Sequence, residues 1–291
     1  MNDAQKQDTL DELVSILDLE ELDLNLYRGR TPKEDRIRVF GGQVAGQALV
    51  AAGRTVEQGT CHSLHAYFLR PGDPSVPILY QVDRIRDGKS FTTRRVVAIQ
   101  HGKAIFNLSA SFQIDEAGLE HQIAMPDAPD PETLATFKQR TEPLLAAAPP
   151  ELKRWLLRER PIDVRPVEPI DYLAPRKREP RQLVWIRADG NLPDGALLHQ
   201  CVIAYASDMT LMDCATLPHA VSWWDNGFQM ASLDHAMWFH RQCRADEWLL
   251  YAQESPTASG SRGFTRASLF RRDGTLVVSV AQEGLIRQRR R

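Results

Sequence analysis

The sequence predicts an α+β protein built from two tandem copies of one unit, each a buried helix followed by antiparallel-type strands. Three observations carry that expectation. The second half echoes the first at an offset of about 170 residues, and self-similarity at a fixed period reports architecture. Each half contains one apolar, small-residue run of helical length, residues 40–52 and 197–212. Each run is followed by strand-like segments separated by turn signals. With 291 residues the chain is also near the size at which a single core divides.

The echo is specific and uneven. Ser63-Leu64-His65-Ala66, with Phe68 and Arg70, returns as Ser232-Leu233, His235-Ala236, Phe239 and Arg241, with two inserted residues. Phe91-Thr92 returns as Phe264-Thr265, and the segment after Gly102-Lys103 returns after Gly274-Thr275. Carried to the strand ends, this alignment sets Ala110 opposite Gln282. A looser match of Gln43 with Gln200 sets Ala51 opposite Asp208. One copy thus holds polar groups where its twin holds alanines, the pattern expected of duplication followed by a division of labour.

Along the chain, Thr9-Leu10-Asp11-Glu12 reads as a capping box, and Leu10, Leu13, Val14 and Leu17 follow at helical spacing. The helix over 40–52 places Gly42 and Gly46 four apart, which clears one face for a neighbouring backbone. Strands are expected at 64–69, 78–85, 91–99 and 104–112, broken at Pro71-Gly72, Asp87-Gly88 and His101-Gly102. Residues 125–180 contain eleven prolines and no sustained strand pattern, so they form a connector, with a short helix at 151–157. Strand character resumes at 183–187. The second helix is expected over 197–212, and further strands at 229–239, 247–253, 263–270 and 275–282. The division expected is 1–115, 116–181 and 182–291.

Composition excludes more than it names. A formal charge of −2 provides no field for nucleic acid or anionic lipid. No apolar stretch approaches membrane-spanning length, and the polar opening Met1-Asn2-Asp3 lacks a signal peptide's apolar core, so a cytoplasmic protein without membrane insertion is expected. Cys61, Cys201, Cys214 and Cys243 lack metal-site spacing and read as reduced, packed thiols; no metal is expected. The basic run from Arg287 to Arg291 reads as a solvated tail.

Asp208 interrupts an apolar stripe formed by Cys201, Ala204, Tyr205, Leu211 and Met212. Burial raises a carboxylate's pKa toward the range of a general base; the alternative is an acid at the helix edge, reaching water or a cap. Gln282 ends a strand on the side of Leu276, Val278 and Val280, where its amide must find partners. Ser232 falls on the less buried side of its strand and faces the core only if a bulge shifts the register. His235 and His240 lie on opposite strand faces, and Asp234 and His235 point apart, so neither pair makes a site. Ser259-Gly260-Ser261-Arg262-Gly263 lacks a nucleophile elbow and reads as a small-residue turn with room for a phosphate near Arg262 and Gly263. Nucleotide-cofactor fingerprints are absent.

Taken together, Val39-Phe40-Gly41-Gly42-Gln43-Val44-Ala45-Gly46-Gln47, Tyr67-Phe68-Leu69-Arg70-Pro71-Gly72-Asp73, Tyr205-Ala206-Ser207-Asp208, Asp234-His235-Ala236-Met237-Trp238-Phe239-His240 and Gln282-Glu283-Gly284 resemble the acyl-CoA thioesterase II family over nearly the whole chain. The resemblance implies a double hotdog fold, in which each half wraps an antiparallel sheet around a central helix. It also implies a trio of Asp, hydroxyl residue and Gln, which fall on Asp208, Ser232 and Gln282, no metal or redox cofactor, an acyl-CoA substrate and a homo-oligomer. Many family members carry Thr where this chain has Ser232; both supply an Oγ donor and acceptor. Asp208 would take a proton from water that attacks the thioester. Two other readings are a hotdog hydratase or dehydratase, which needs a paired acid and base, and an acyl-CoA-binding module without turnover.

Overall fold

Why two wrapped helices require one continuous sheet is visible in the computed structural model, which describes residues 3–32, 37–169, 171–223, 225 and 227–289. Helix α1 (Asp3–Leu17) is followed by strands β1 (Glu20–Asp23) and β2 (Leu26–Gly29), helix α2 (Gly41–Gly53), and strands β3 (Thr60–Phe68), β4 (Ile78–Asp87), β5 (Phe91–Gln100) and β6 (Lys103–Gln113). Short helices α3 (Phe137–Thr141) and α4 (Pro150–Leu157) precede β7 (Ile162–Pro166) and β8 (Arg181–Ala188). Then come α5 (Ala196–Ser207), α6 (Asp213–Thr216), β9 (Phe228–Ser232), β10 (Asp234–Phe239), β11 (Leu249–Ser259), β12 (Arg262–Arg271) and β13 (Leu276–Gln288).

Among the described residues the strands form one sheet in the order β1-β2-β4-β5-β6-β3-β10-β13-β12-β11-β8-β7, with β9 also on β13. Read outward from the central β3–β10 pair, the two halves have matching orders. The halves join there by antiparallel pairing of Leu64 with Met237 and Ala66 with His235. The pair β7–β8 thus holds the place in the second copy that β1–β2 holds in the first. Sequence reading gave neither β1 nor β7 as a strand. Every residue of β1 is exposed, so it has no alternation to read, and β7 is buried along its whole length within a proline-rich segment.

Helices α2 and α5 pack inside this sheet. A Cβ on Gly42 would lie 2.3 Å from the Tyr205 carbonyl oxygen, and one on Gly46 3.1 Å from that of Cys201, so the glycine spacing does serve a close backbone approach. Buried Gln47 in α2 is satisfied: its amide donates to the carbonyls of Ile16 and Arg30 and its oxygen accepts from the Tyr80 hydroxyl. Cys61, Cys201 and Cys214 are buried free thiols.

Three element ends differ from expectation. Helix α1 already begins by Asp3, so Thr9 lies inside it, its hydroxyl donating to the Gln5 carbonyl four residues back instead of capping. Helix α5 stops at Ser207, which makes Asp208 its C-cap residue. The basic tail is partly strand, since β13 runs to Gln288; Arg290 and Arg291, like Met1 and Asn2, lie outside the described residues.

The connector has two parts. Residues 125–134 seal a second, smaller apolar cluster around Trp185, Trp248, Leu250 and Phe270. There the Trp185 indole donates to the Pro129 carbonyl at 2.9 Å and that of Trp248 to Glu132 at 3.0 Å. Residues from Phe137 onward fold over the cavity beside α2 and α5.

Candidate active site

Asp208 meets the start of α2. Helix α2 opens at Gly41 with Phe40 as N-cap and no side-chain cap, leaving its first backbone N–H groups without helical acceptors. The Asp208 carboxylate fills that role from the neighbouring helix: it accepts from the Gly42 N–H, and a Cβ on Gly41 would lie 2.7 Å from Oδ2. The dipole at the helix start favours the anion. Burial nevertheless dominates and raises the Asp208 pKa to about 6, opposed by hydrogen bonds from Gln282, Gly42 and Ser232 and by the charge of Arg38.

Gln282 and Ser232 converge on the same oxygen. Gln282 Nε2 donates to Asp208 Oδ1 at 2.7 Å and Ser232 Oγ at 3.4 Å, the latter a long contact. Gln282 is 1% exposed and lies behind the carboxylate, outside the cavity lining; its Oε1 is buried without a partner among the described residues. Its backbone carbonyl accepts from the Thr265 hydroxyl at 3.0 Å, which fixes the strand at that point.

Ser232 reaches Asp208 through the bulge its strand pattern required. The four steps from Ser232 to Ala236 face only three from Gly284 to Ala281, so one extra residue is accommodated where β9 passes into β10.

Behind the site, His235 is fully buried and shares a 2.8 Å hydrogen bond with Ser207 Oγ; burial lowers its pKa to about 4. The Tyr251 hydroxyl donates to the Ser207 carbonyl at 2.9 Å. Both interactions hold the residue immediately before Asp208. Asp234 points the other way and accepts from the Glu283 N–H at 2.6 Å.

Asp208, Ser232 and Gly41 open on a cavity of about 1060 Å³. Asp213 also lines it; burial raises its pKa to about 7 although the Trp223 indole donates to it at 2.6 Å. Sequence reasoning missed Asp213, whose only signal is a charge inside Leu211-Met212-Asp213-Cys214. Arg262 and Gly263 do not reach the cavity: Arg262 pairs with Glu283 at 2.8 Å, and Gly263 is packed against Ala215 and Ile286. Thr265 was also missed, because its effect passes through the backbone of Gln282.

The equivalent place in the first copy is closed. With Ala110 set opposite Gln282, the pairing register matches Thr265 to Arg94 and not to Thr92 as the echo of Phe91-Thr92 has it: Thr265 pairs with Gln282 across β12–β13, and Arg94 with Ala110 across β5–β6. Arg94 is 1% exposed and turns its guanidinium onto the Thr55 hydroxyl and carbonyl just past α2, at 2.7 and 3.0 Å. At that end the side chain of Leu197 fills the space beside Gly53.

Residues 155–285 match the acyl-CoA thioesterase family model, and residues 30–113 match the acyl-CoA thioesterase N-terminal domain. Human acyl-coenzyme A thioesterase 8 is 46% identical over 284 residues, covering 94% of this chain and 88% of that protein. The chain belongs to the acyl-CoA thioesterase family. A crystal structure of an acyl-CoA thioesterase II from Mycobacterium marinum is similar to this family member with a TM-score of 0.78 and 47% identity, covering 95% of this chain and 98% of that one. A hot dog fold protein from Alicyclobacillus acidocaldarius, 18% identical with a TM-score of 0.77, covers 96% of this chain and 99% of its own and shows the same fold. The double hotdog expectation therefore holds.

Proposed function

We propose that this acyl-CoA thioesterase family member hydrolyses fatty acyl-CoA to free fatty acid and CoA, with Asp208 as the general base. The observation that carries the assignment is a half-buried carboxylate, poised at about 6, that opens on the cavity at the start of α2. A base with that pKa is largely ionised at neutral pH and still able to accept a proton in the transition state.

Water attacks the thioester carbonyl as Asp208 takes its proton. The new C–O bond places negative charge on the carbonyl oxygen, which the start of α2 at Gly41 stabilises. Collapse breaks the C–S bond and releases a thiolate whose parent thiol, with a pKa near 8.5 by analogy with cysteine, needs little acid assistance. Ser232 touches both carboxylate and cavity and orients the water. Gln282 acts one step back, fixing the carboxylate.

Among the described residues the cavity lining contains no histidine, and His235 is committed to Ser207, which disfavours a hydratase that needs an acid and base pair. We hold to the division 1–115, 116–181 and 182–291, with hydrolysis in the second copy. No described helix is long and apolar enough to cross a membrane, in keeping with a cytoplasmic enzyme of fatty acid metabolism. Exposed Tyr67 of β3, Phe91 of β5 and Phe264 of β12 support a homo-oligomer.

The test is release of free thiol from a long-chain acyl-CoA by the purified protein and by Asp208→Asn, with folding checked by circular dichroism. Loss of about 10²–10⁴-fold in turnover is expected of a missing general base. Near wild-type turnover would remove Asp208 from that role.

A further inference from the structure

The bulk charge of −2 conceals a strongly cationic surface inside the molecule. Arg140, Arg154, Arg158, Arg160, Arg176 and Arg178, all from the connector, line the cavity onto which Asp208 opens. The wall contributed by the first copy is more apolar: Val44 of α2, Phe68 of β3, and Ile105 and Phe106 of β6 line it, beside Arg38 and Arg70, which donate to the carbonyls of Met230 and Ala104. One chamber therefore combines a mostly apolar wall with an arginine-rich one, and most of its arginines come from the connector.

The arginine wall is a built surface. The Arg160 guanidinium lies 3.8 Å from the centre of the Phe137 ring and 4.6 Å from that of Trp155, and Trp155 stands edge-on to Tyr172 at 5.2 Å. The Arg160 N–H groups also donate to the carbonyls of Arg158 at 2.6 Å and Trp155 at 2.7 Å, so the cation is fixed in place beside the cavity. Arg140 donates to the Val164 carbonyl at 2.9 Å, while its buried Nε–H has no partner among the described residues. Arg154 and Arg176 are exposed and have neither an acid partner nor a hydrogen bond among the described residues.

The carboxylates on the same lining are largely committed. Glu168 pairs with Arg178, and Asp171 caps the N–H groups of Leu173 and Ala174. Asp213 is bonded to Trp223, and Glu151 lies in the first turn of α4, where the helix dipole favours it.

Such a wall does not suit an acyl chain, because arginines desolvated by hydrocarbon have nothing to replace their water. It suits clustered phosphates, which guanidinium groups grip through paired charge-assisted hydrogen bonds. We infer that the connector arginines form the subsite for the phosphorylated nucleotide end of CoA, leaving the apolar wall to the acyl chain. The inference rests on the thioester-hydrolysis reading and adds to it the part of the substrate that the connector recognises. The connector is then the device that restricts hydrolysis to CoA-borne thioesters.

The experiment compares two thioesters of one acyl chain, the CoA ester and the N-acetylcysteamine ester, which lacks every phosphate. Wild type is measured beside the doubly substituted Arg154→Ala/Arg176→Ala protein, whose changes lie at exposed positions, and beside Arg154→Glu. The expected result is a fall of about tenfold or more in the ratio of kcat/KM for the CoA ester to that for the N-acetylcysteamine ester. The change should reside in KM, and adenosine 3′,5′-bisphosphate should inhibit the double variant correspondingly less. The wild-type KM for the CoA ester should rise with salt more steeply than the variant's. Hydrolysis of both esters with an unchanged ratio overturns the subsite and leaves the thioesterase reading standing. Hydrolysis of neither ester by wild type overturns that reading and the subsite with it.

Discussion

Gln282 Nε2 lies 2.7 Å from Asp208 Oδ1, close enough for the amide to set both the orientation and the acidity of the carboxylate. Its bond lowers the Asp208 pKa against the rise caused by burial. Replacing Gln282 by Ala removes a lowering influence, so the acidic limb of the kcat/KM profile, expected near pH 6 in wild type if Asp208 is the base, should move to higher pH. Turnover at its new plateau should fall on the order of tenfold or more through lost positioning. A profile measured from pH 5 to 9 checks both; a fall in rate without movement of the limb would leave Gln282 a packing role only.

Asp208→Asn should make the protein more stable at neutral pH. The carboxyl has a pKa of about 6 in the fold and near 3.9 in an unfolded chain. The native state therefore holds the proton more tightly, and wild-type stability falls as pH rises through that window. The spacing corresponds to roughly 3 kcal/mol at most, reduced by the side chain's partial contact with the cavity. Thermal unfolding should show Asp208→Asn above wild type at pH 8 and the two converging near pH 4.

Adjacent glycines should separate activity from stability. A Cβ at Gly41 strikes Asp208 Oδ2 and the Phe68 ring, whereas one at Gly42 strikes the Tyr205 carbonyl between the two helices. Gly41→Ala should lose catalysis out of proportion to any change in Tm. Gly42→Ala should cost roughly 1–3 kcal/mol, or more, of stability because backbone cannot yield as a side chain does. Steady-state kinetics and urea unfolding on both variants decide the point.

Arg94→Ala should destabilise by roughly 2–4 kcal/mol through the cavity it leaves and the bonds it removes from Thr55. Activity per folded molecule should remain within about twofold of wild type, since no group of the hydrolytic site is touched. Urea unfolding combined with active-site-normalised turnover checks this.

Much of this arrangement was legible in the chain because it depends on local pattern. The echo between halves gave the tandem units, and the spacing of Gly42 and Gly46 gave a close helix approach before any neighbour was known. Asp208 and Gln282 stood out as polar residues on apolar stripes. What was not legible depends on contacts distant in sequence. Ser232 turns inward through one extra residue in the pairing, which a period-two pattern cannot encode. Strand β1 is exposed throughout and β7 buried throughout, so neither alternates. The arginine wall is scattered over a proline-rich segment, and only its folding over the cavity concentrates the charge. Arg262 suggested a phosphate contact by its glycine-rich turn, yet it points to Glu283 instead.

Arg94 gives the duplication a direction in time. It holds the strand position that matches Thr265 in the other copy, and its guanidinium braces the chain just past α2. Arg94 already pairs with Asp87 and donates to Thr55, Arg86 and Thr93, so a carboxylate reinstated at that end would meet a filled, buried cation site instead of the donors that meet Asp208. Regaining a second hydrolytic centre would first require removal of Arg94, through an intermediate that lacks both a brace and a base. On the proposed division of labour, the stability of the first copy then acts as a ratchet against reversion.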